Sequence, residues 1–480
     1  MCKTPCRPTV TPRLPVVVAL LAAALTAGGC QGSPPAAPPG PPELDPPAIR
    51  SLPGYLATTI ADPVFGGQVF FAEAGPPDAP PVVLVHGLGD SAGRDWHPIL
   101  PALSDLHHVV FVDLPGFGRS TRGSELYSPE RYVRLIREVV RARIGGPFDL
   151  VGHSMGGALA LLYAARHPDD VAHLVLMDVA GILHRQAYTE FALAAGLAGI
   201  PGVLGPTRDL ATTVTAMATG PLLGRAPDPT LVLENDLTRH SLLASPTRIA
   251  ALGLLLQDFG PAIAAVRARP LLLWGKNDTV APLRTALLLK KRLPHARLEL
   301  LSSSAHEPLR SEPARVTELV LERLGTPLEA LDVDPPPRPP SASPGVGRCQ
   351  GQHGARFEGD YSELEIAGCD DVRIAGVRAT AIRVRDSVVI LEDTEVVGSG
   401  VALSVSSSRV QATASDLTGE VGIQAEGSEL DLGGVMVRGR RAAVFAAGPT
   451  SLLFSVSRVE SRRTQGFVHG VRELGRNGEL

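Results

Sequence analysis

The hexapeptide GHSMGG at residues 152–157 places a single serine between glycines, where an apolar run meets a helical pattern. Phe148–Val151 has the composition of a buried strand, and Ala158–His167 has that of a helix. A sharp turn between them would hold the Ser154 hydroxyl at a helix amino terminus, where a developing negative charge is favoured. Ser154 is therefore a candidate nucleophile; the simpler alternative is a structural helix cap.

A serine hydroxyl needs a base within hydrogen-bond reach, and the base needs an acid that orients it. His306 follows the strand candidate Leu298–Leu301, and Asp278 follows the strand candidate Leu271–Trp274. Since the carboxyl ends of parallel strands meet at one sheet edge, we expect both side chains near Ser154. The chain order serine, aspartate, histidine agrees with this arrangement.

Three other residues compete for the same roles. Asp178 follows the strand candidate His173–Met177 and is the second candidate acid, although its position also suits the start of an insertion. His153 and His86 are alternative bases. Each is held inside a turn whose backbone has its own role, so Asp278 and His306 are preferred.

Anion stabilisation requires backbone donors opposite the serine. The segment His86–Gly89 follows the strand candidate Val82–Val85 and opens a glycine-containing loop. The backbone N–H groups of Leu88 and Met155 are predicted to form an oxyanion hole, because both would face a bound carbonyl. This chemistry needs no metal and no organic cofactor.

Elements that could position these residues alternate along residues 55–325. The strand candidates are short apolar runs: Val82–Val85, Val109–Val112, Phe148–Val151, His173–Met177, Leu271–Trp274 and Leu298–Leu301. The helix candidates are longer and more mixed: Pro129–Arg143, Ser154–His167, Leu283–Arg292 and Glu312–Leu324. Apolar strands between helices predict a mostly parallel sheet covered on both faces. Residues 55–73 are expected to form an antiparallel entry hairpin.

A long insertion interrupts this alternation. About 90 residues separate the strand candidates His173–Met177 and Leu271–Trp274, far more than an ordinary connection. The segment is rich in Ala, Leu and Gly with helical periodicity. We therefore predict a helical cap over about residues 181–265, within an α/β domain that spans residues 55–326.

The C-terminal part has a different pattern, after a proline-rich linker at residues 327–347. Four segments align with spacings of 21, 20 and 21 residues: IRVRDS from Ile382, LSVSSS from Leu403, IQAEGS from Ile423 and VFAAGP from Val444. Such a period predicts an all-β right-handed parallel β-helix-like domain over residues 348–462, followed by a tail at 463–480. The alternative is a small β-sandwich. A carbohydrate or protein ligand on this domain is suggested by analogy alone.

The N-terminus resembles a bacterial lipoprotein signal. A basic start and the apolar run VVVALLAAALTA precede LTAGGC, which is similar to a lipobox although Ala27 stands where leucine is usual. Residues 1–29 are then a signal peptide, Cys30 is lipidated, and residues 30–54 form a proline-rich spacer. Gln31 favours the outer membrane if the host has one. Secretion with cleavage nearby is the alternative.

Charge and cysteine content limit the partners. A net charge of −4 does not point to nucleic acid. Cys349 and Cys369 would remain beside the lipidated Cys30 after processing, and in an oxidising compartment they are a candidate disulfide pair. Two unpaired thiols are the alternative.

Taken together, five stretches resemble the α/β-hydrolase superfamily, in its capped lipase, esterase and C–C hydrolase branch: VVLVHGLGDSAGRDW, VVFVDLPGFGRS, VGHSMGG, LLLWGKNDTVAP and AHEPLRSEP. The resemblance covers about residues 60–325. It implies Ser154 as nucleophile, Asp278 as acid, His306 as base, and Leu88 and Met155 as oxyanion donors. Ala305 departs from the glycine that many relatives carry. Relatives that dehalogenate or open epoxides have aspartate at the elbow, so Ser154 argues against those reactions.

The predicted function is that of a lipid-anchored serine hydrolase, lipase- or carboxylesterase-like, which cleaves a small ester or acyl substrate. The apolar composition of the cap favours an apolar acyl or aryl group. An acyltransferase and a C–C bond hydrolase would use the same three residues and are alternatives. A binding or scaffold protein that acts through its β-helix is a third possibility, against which the complete set of Ser154, Asp278 and His306 argues.

Overall fold

A computed structural model describes most of the chain, over residues 47–89, 91–194, 229–293, 295–327 and 344–480. The predicted signal peptide, Cys30 and the middle of the predicted cap lie outside the described residues.

The first half is built on an eight-stranded sheet with the order β1-β2-β4-β3-β5-β6-β7-β8. Its strands are β1 (Leu56–Ala61), β2 (Gln68–Ala74), β3 (Pro81–Val85), β4 (His108–Val112), β5 (Phe148–His153), β6 (Val171–Met177), β7 (Leu271–Gly275) and β8 (Arg297–Leu301). The first two strands form an antiparallel hairpin, β2 pairs antiparallel with β4, and the remaining pairs are parallel. The predicted parallel sheet and its entry hairpin are confirmed.

Both faces of this sheet are buried, which explains the uninterrupted apolar strands. In β3, Val83 and Val85 belong to one hydrophobic cluster, and Val82 and Leu84 belong to a second cluster on the opposite face. All four side chains are fully buried. Because side chains alternate across a strand, each strand contributes residues to both hydrophobic clusters.

Helices supply the covering layers. They are α1 (Pro47–Arg50), α2 (Ala92–Trp96), α3 (Leu100–Ser104), α4 (Pro129–Arg141), α5 (Met155–Arg166), α6 (Arg185–Ala194), α7 (Pro229–Glu234), α8 (Asp236–Thr238), α9 (Pro246–Leu256), α10 (Gly260–Ala265), α11 (Leu283–Arg292), α12 (Pro308–Ser311) and α13 (Pro313–Gly325). Helix α5 packs against β5, β6, α4 and α10, and its residues are buried on every side, which accounts for its apolar sequence. Within the described ranges, no helix is both long enough and apolar enough to cross a membrane.

In its described residues, the insertion between β6 and β7 forms helices joined by short loops. Helices α6 to α10 and a π-helical turn at Arg239–Leu243 lie within the predicted cap. The two ends of the insertion meet, because a Cβ added at Gly181 would lie 2.3 Å from the Leu254 side chain. The cap is therefore closed at its base.

The second half forms a parallel β-helix, here meaning Gly345–Glu479. Its strands are β9 (Gly345–Gln350), β10 (Arg356–Ala367), β11 (Val372–Ala379), β12 (Ala381–Arg385), β13 (Val388–Glu392), β14 (Glu395–Val397), β15 (Val401–Ser406), β16 (Arg409–Thr413), β17 (Asp416–Glu426), β18 (Ser428–Gly433), β19 (Met436–Ala446), β20 (Thr450–Glu460), β21 (Gln465–Leu474) and β22 (Gly478–Glu479).

Successive coils stack in register. Ile382 pairs with Leu403, Leu403 with Ile423, and Ile423 with Val444, all in parallel strands. These are the four positions that the sequence repeat aligned, so the β-helix-like fold is confirmed. A β-sandwich, built from antiparallel sheets, is excluded.

Hydroxyl side chains bridge the coils at one corner. The Ser408 Oγ accepts a hydrogen bond from the Ser387 backbone N–H at 3.0 Å, and the Ser428 Oγ accepts one from the Ser408 N–H at 3.2 Å. Each hydroxyl donates to a carbonyl two residues earlier in its own coil. Buried backbone groups at the turn are thereby satisfied.

The two ends of the β-helix differ. At the first coil a disulfide joins Cys349 to Cys369, whose Cα atoms are 6.4 Å apart. At the last coil, residues 463–480, which the sequence predicted to be a tail, contain the strands β21 and β22. These strands pair antiparallel with β20 and β19. Antiparallel pairing covers an edge that another coil would otherwise occupy.

Candidate active site

Ser154 lies in a strained turn between the end of β5 and the start of α5. Its backbone has φ 54° and ψ −118°, a region that costs a non-glycine residue about 1–3 kcal/mol. The turn is held by the Ser154 N–H, which donates to the Met177 carbonyl at 2.9 Å. Strain that the fold maintains at one polar residue is typical of functional sites.

Close packing requires the glycines of the motif. A Cβ at Gly156 would lie 2.0 Å from the Val85 carbonyl oxygen, and one at Gly152 would lie 2.3 Å from the Gly156 carbonyl oxygen. Only glycine lets α5 start this close to the strands on either side. The spacing in the sequence is thus a consequence of packing around Ser154.

The structure brings His306 between Ser154 and Asp278. The His306 Nε2 is 2.9 Å from the Ser154 Oγ, and the His306 Nδ1 is 2.9 Å from the Asp278 Oδ2. An ionised carboxylate can only accept, so Nδ1 carries the proton and Nε2 is free to accept the serine proton. The three residues come from the carboxyl ends of β5, β7 and β8.

Asp278 is held as a carboxylate inside the protein. Its side chain is fully buried, which by itself raises the pKa. The neighbouring His306 opposes this effect by charge and by hydrogen bonding, and the net pKa is lowered. The Asp278 Oδ1 accepts the N–H groups of Val280 at 2.7 Å and Ala281 at 2.9 Å. These bonds fix the orientation of the carboxylate.

Asp178, the competing acid, occupies a different role. Its Oδ1 accepts the Gly275 N–H at 2.8 Å, whereas the His306 Nδ1 contacts Asp278 instead. Burial, and then the negative charge of Asp278, raise the pKa of Asp178 well above its usual value. Its carboxyl therefore favours the neutral form, which suits a group beside a second carboxylate.

The other two histidines support the backbone. The His153 Nε2 lies 2.8 Å from the His306 carbonyl oxygen, to which it must donate, and burial lowers the pKa of His153. The His86 Nε2 accepts the Leu114 N–H at 2.9 Å, so its Nδ1 donates to the Gly87 carbonyl. The contact of His153 with the backbone of His306 was not expected from the sequence.

The loop after β3 lies against the elbow. A Cβ added at Gly87 would be 3.1 Å from the Ser154 Cβ, which is tighter than most real contacts. The glycine therefore lets the backbone of this loop lie close to the serine. Met155 is the first residue of α5, where a backbone N–H has no acceptor within its own helix. Leu88 follows Gly87 and is partly buried. The assignment of the Leu88 and Met155 N–H groups as oxyanion donors stays a prediction.

Apolar side chains from the cap stand over this loop. Ala251 and Leu255 of α9 are buried, and Leu88 and Tyr188 pack against them. Burial, and then the charge of Asp278, raise the pKa of Tyr188 to about 12. Ser154 is only 6% exposed, so the site is covered. Within the described ranges, no group of three or more His, Cys, Asp or Glu residues is placed to hold a metal ion.

Known proteins resemble the first half of the chain. The sequence model of the alpha/beta hydrolase fold matches residues 80–213. The 2-hydroxy-6-oxo-2,4-heptadienoate hydrolase of Pseudomonas putida is 30% identical over 239 residues, 47% of this chain and 82% of that protein. The pimeloyl-(acyl-carrier protein) methyl ester esterase of Aeromonas hydrophila is 28% identical over 249 residues, 51% of this chain and 96% of that protein.

Among solved structures, a hydrolase from Pseudomonas aeruginosa covers 56% of this chain and 98% of its own, with 22% identity and a TM-score of 0.42. The chain belongs to the α/β hydrolase family. A hydrolase and an esterase are among the proteins it resembles in sequence.

Proposed function

We propose that this protein is a serine hydrolase that cleaves a carboxylic ester through an acyl-enzyme. The observation that carries the proposal is the position of the His306 imidazole, 2.9 Å from the Ser154 Oγ on one side and 2.9 Å from the Asp278 carboxylate on the other. A hydroxyl, a neutral imidazole and a buried carboxylate in this order form a complete relay for acyl transfer.

In the first half-reaction the Ser154 Oγ attacks the ester carbonyl while the His306 Nε2 takes its proton. The Asp278 carboxylate stabilises the imidazolium that results, and it does not itself become protonated. The oxyanion forms at the amino end of α5, where the Met155 N–H and the Leu88 N–H would donate to it. Collapse of the intermediate returns the proton from His306 to the leaving alcohol.

The second half-reaction repeats these steps with water. His306 takes a proton from water, the hydroxide attacks the acyl-serine, and the acid leaves as Ser154 regains its proton. Water must reach a nucleophile that is only 6% exposed. Because bulk solvent is kept away, charges inside the site interact more strongly than in water.

The substrate is expected to present an apolar group to the cap. Ala251, Leu255 and Tyr188 of the cap form an apolar cluster with Leu88 of the oxyanion loop. The name of one relative, a methyl ester esterase, supports an ester. A second candidate reaction is C–C bond hydrolysis, which the name of the Pseudomonas putida relative supports.

A fluorophosphonate probe tests the nucleophile. We expect the probe to label the full-length protein, and Ser154→Ala to remove the label. Ser362→Ala, at a serine of the β-helix, is the control and should label normally. Labelling that survives Ser154→Ala would identify another nucleophile and refute the assignment.

A substrate panel tests the reaction. p-Nitrophenyl esters of graded acyl length should be hydrolysed, with a preference for apolar acyl groups over charged ones. A 2-hydroxy-6-oxo-dienoate in the same panel tests C–C cleavage. Turnover of the dienoate alone would replace the ester proposal by the second candidate.

We also propose that the protein is tethered to the cell envelope through Cys30. The support is the sequence of residues 1–54, in which a basic start, an apolar run and LTAGGC precede a proline-rich spacer. Growth with an alkyne-labelled fatty acid should label the wild-type protein and not Cys30→Ser. A label that persists in Cys30→Ser, or a protein released in soluble form by the wild type, contradicts the tether.

A further inference from the structure

The β-helix contacts the hydrolase half at two places: helix α11, which follows Asp278, and the two ends of the cap. All described residues belong to one compact unit, Leu44–Leu480. Leu453 and Val456 of β20 are buried in the same hydrophobic cluster as the helices of the hydrolase half. Most of the β-helix core forms a cluster of its own, so the burial of these two side chains within the hydrolase half needs an explanation.

The first contact is made by one face of α11. Arg284, Leu288, Lys291 and Arg292 have the spacing i, i+4, i+7 and i+8, which places them on the same side of the helix. In a free hydrolase domain this side would be a charged, solvated surface. We call these four residues the α11 face.

Acidic and carbonyl groups of the β-helix meet the α11 face. Arg284, only 9% exposed, donates to Asp431 through two nitrogens and to the Thr413 Oγ1. The Arg292 guanidinium donates to the Gly434 carbonyl at 2.8 Å and to the Asp416 Oδ1 at 2.7 Å.

Two further contacts complete this interface. Lys291 pairs with Asp393 at 2.9 Å. Leu288 packs against the backbone of Gly434. A Cβ added at Gly434 would lie only 2.5 Å from the Leu288 Cγ. Glycine at position 434 therefore allows the helix to come close. Every member of the α11 face has a partner in the β-helix.

The α11 face is connected directly to the acid. Asp278 accepts the Ala281 N–H, and Arg284 follows Ala281 by three residues, in the first turn of the helix. The Ala281 carbonyl in turn accepts the Trp274 Nε1–H at 3.0 Å. Because the loop between Asp278 and α11 is this short, holding Arg284 restrains the N–H groups that orient the carboxylate.

The second contact holds both ends of the cap. Where the chain enters the cap, the His184 N–H donates to the Ser455 Oγ at 2.9 Å, and the His184 ring lies 4.9 Å from that of His469. Where the chain leaves it, Asp258 is 3.6 Å from the His469 Nδ1, and a Cβ at Gly260 would be 3.0 Å from the Phe467 ring. One antiparallel pair, β20 and β21, therefore contacts both ends.

We propose that the β-helix is a built-in wall of the active site: it fixes the loop that carries Asp278 and both ends of the cap, with Arg284 as the positioning residue for Asp278. The full chain, rather than its hydrolase half, is then the catalytic unit. This inference rests on the proposed function, since it assigns a role within the same relay.

The test compares Arg284→Gln with Arg409→Gln in the full-length chain. Arg409 pairs with Glu429 on the exposed surface of the β-helix, so it controls for loss of one arginine ion pair. Arg284→Gln should lower kcat by roughly 10- to 100-fold with little change in KM, because a misplaced catalytic group weakens the chemical step rather than binding. Arg409→Gln should change neither.

Rescue separates positioning from general destabilisation. Arg284→Glu should lose activity, and the double variant Arg284→Glu with Asp431→Arg should recover at least part of kcat by restoring the ion pair in reverse. Hydrogen exchange of the Val280 and Ala281 amides should accelerate in Arg284→Gln and return towards the wild-type rate in the double variant.

Two results would overturn the proposal that the β-helix is a wall of the active site. One is an Arg284→Gln variant with a lower melting temperature but an unchanged kcat, which would make the contact merely structural. The other is an unchanged exchange rate at Val280 and Ala281. If the wild type neither turns over esters nor labels at Ser154, the proposed function fails instead, and the exchange measurement still decides whether the wall exists.

Discussion

The two halves of this protein bring interacting residues together over very different distances in the sequence. In the hydrolase half, the hydrogen bond between His306 and Ser154 joins residues 152 positions apart. In the β-helix, the bond from the Ser408 N–H to Ser428 joins residues 20 positions apart, and the same step repeats from coil to coil. In the hydrolase half, the topology of the sheet brings distant strand ends to one edge. In the β-helix, the regular sequence repeat places equivalent residues of neighbouring coils side by side.

This difference predicts where substitutions act. A residue in the relay has no substitute elsewhere, so its loss should abolish activity while leaving the fold. A residue in a repeating coil contributes mainly to contacts with its neighbours, so its loss should change stability by a modest amount. Substitutions in the α11 face are expected to affect both activity and stability, because this face joins the two halves.

The largest expected effect is on activity. His306→Ala removes the proposed base and should lower kcat by about 10⁴-fold or more, measured with a p-nitrophenyl ester. His353→Ala, at an exposed histidine of the β-helix, should leave kcat unchanged. Comparable activity in His306→Ala would mean that the hydrolase half uses another base.

A smaller effect, on stability, is expected inside the β-helix. Val389 and Val388 are neighbours in β13 that point to opposite faces; Val389 is 1% exposed and Val388 is 43% exposed. Val389→Ala should lower the free energy of unfolding by about 2 kcal/mol in urea denaturation, because it removes buried methyl groups and leaves a cavity.

Val388→Ala is the matched control and should cost well below about 1 kcal/mol. Neither variant should change kcat. If the two substitutions have equal effects, the inward and outward faces assigned to this strand are wrong.

The corner hydroxyls are expected to contribute about 1–2 kcal/mol each. Ser408→Ala leaves the buried Ser387 N–H without its acceptor, so unfolding in urea should shift to lower concentration. Ser404→Ala, on the outward side of β15, should change the midpoint little. A Ser408→Ala variant as stable as the wild type would show that another group satisfies this N–H.

The smallest effect is expected in the pH dependence of stability. Burial, and then the charges of His469 and Arg185, lower the pKa of His184 to about 3, while Asp431 has the opposite effect. The folded state therefore resists a proton that the unfolded state takes up below pH 6.5. Stability is fully present above that pH and decreases as the pH falls towards 3.

Melting temperatures between pH 7 and pH 4 should detect this linkage. His184→Gln should flatten the decrease by roughly a few degrees, since it removes one group that protonates on unfolding. His353→Gln, at an exposed position, should follow the wild-type curve. A decrease equally steep in His184→Gln would assign the pH dependence to other groups, such as His469, whose ring packs against that of His184.

Much of the fold was predictable because its patterns are local. Apolar runs at Val82–Val85 and Leu271–Trp274 are strands for the reason that both of their faces are buried. The spacings of the repeat from Ile382 correspond to the register of the coils residue by residue. Helix α11 begins and ends at the predicted residues, Leu283 and Arg292.

The contacts between elements were not predictable to the same degree. The charged α11 face has the composition of a solvated helix surface, and only the presence of Asp431 and Asp416 opposite it shows otherwise. The bond from His153 to the His306 carbonyl has no local signature, because the two residues are 153 positions apart. Residues 465–474 carried no strong strand pattern, and pairing with β20 makes them a strand.

The sequence by itself determined the candidates: a serine in a glycine-flanked turn, an aspartate and a histidine after apolar runs, and a period near 20 in the second half. These follow from backbone geometry and from burial, which act over a few residues. The tertiary structure decided which carboxylate meets His306, that Cys349 and Cys369 are joined, and that the β-helix packs against α11, the helix after Asp278. Those outcomes depend on where distant segments meet in space, and no pattern within a short stretch encodes that distance.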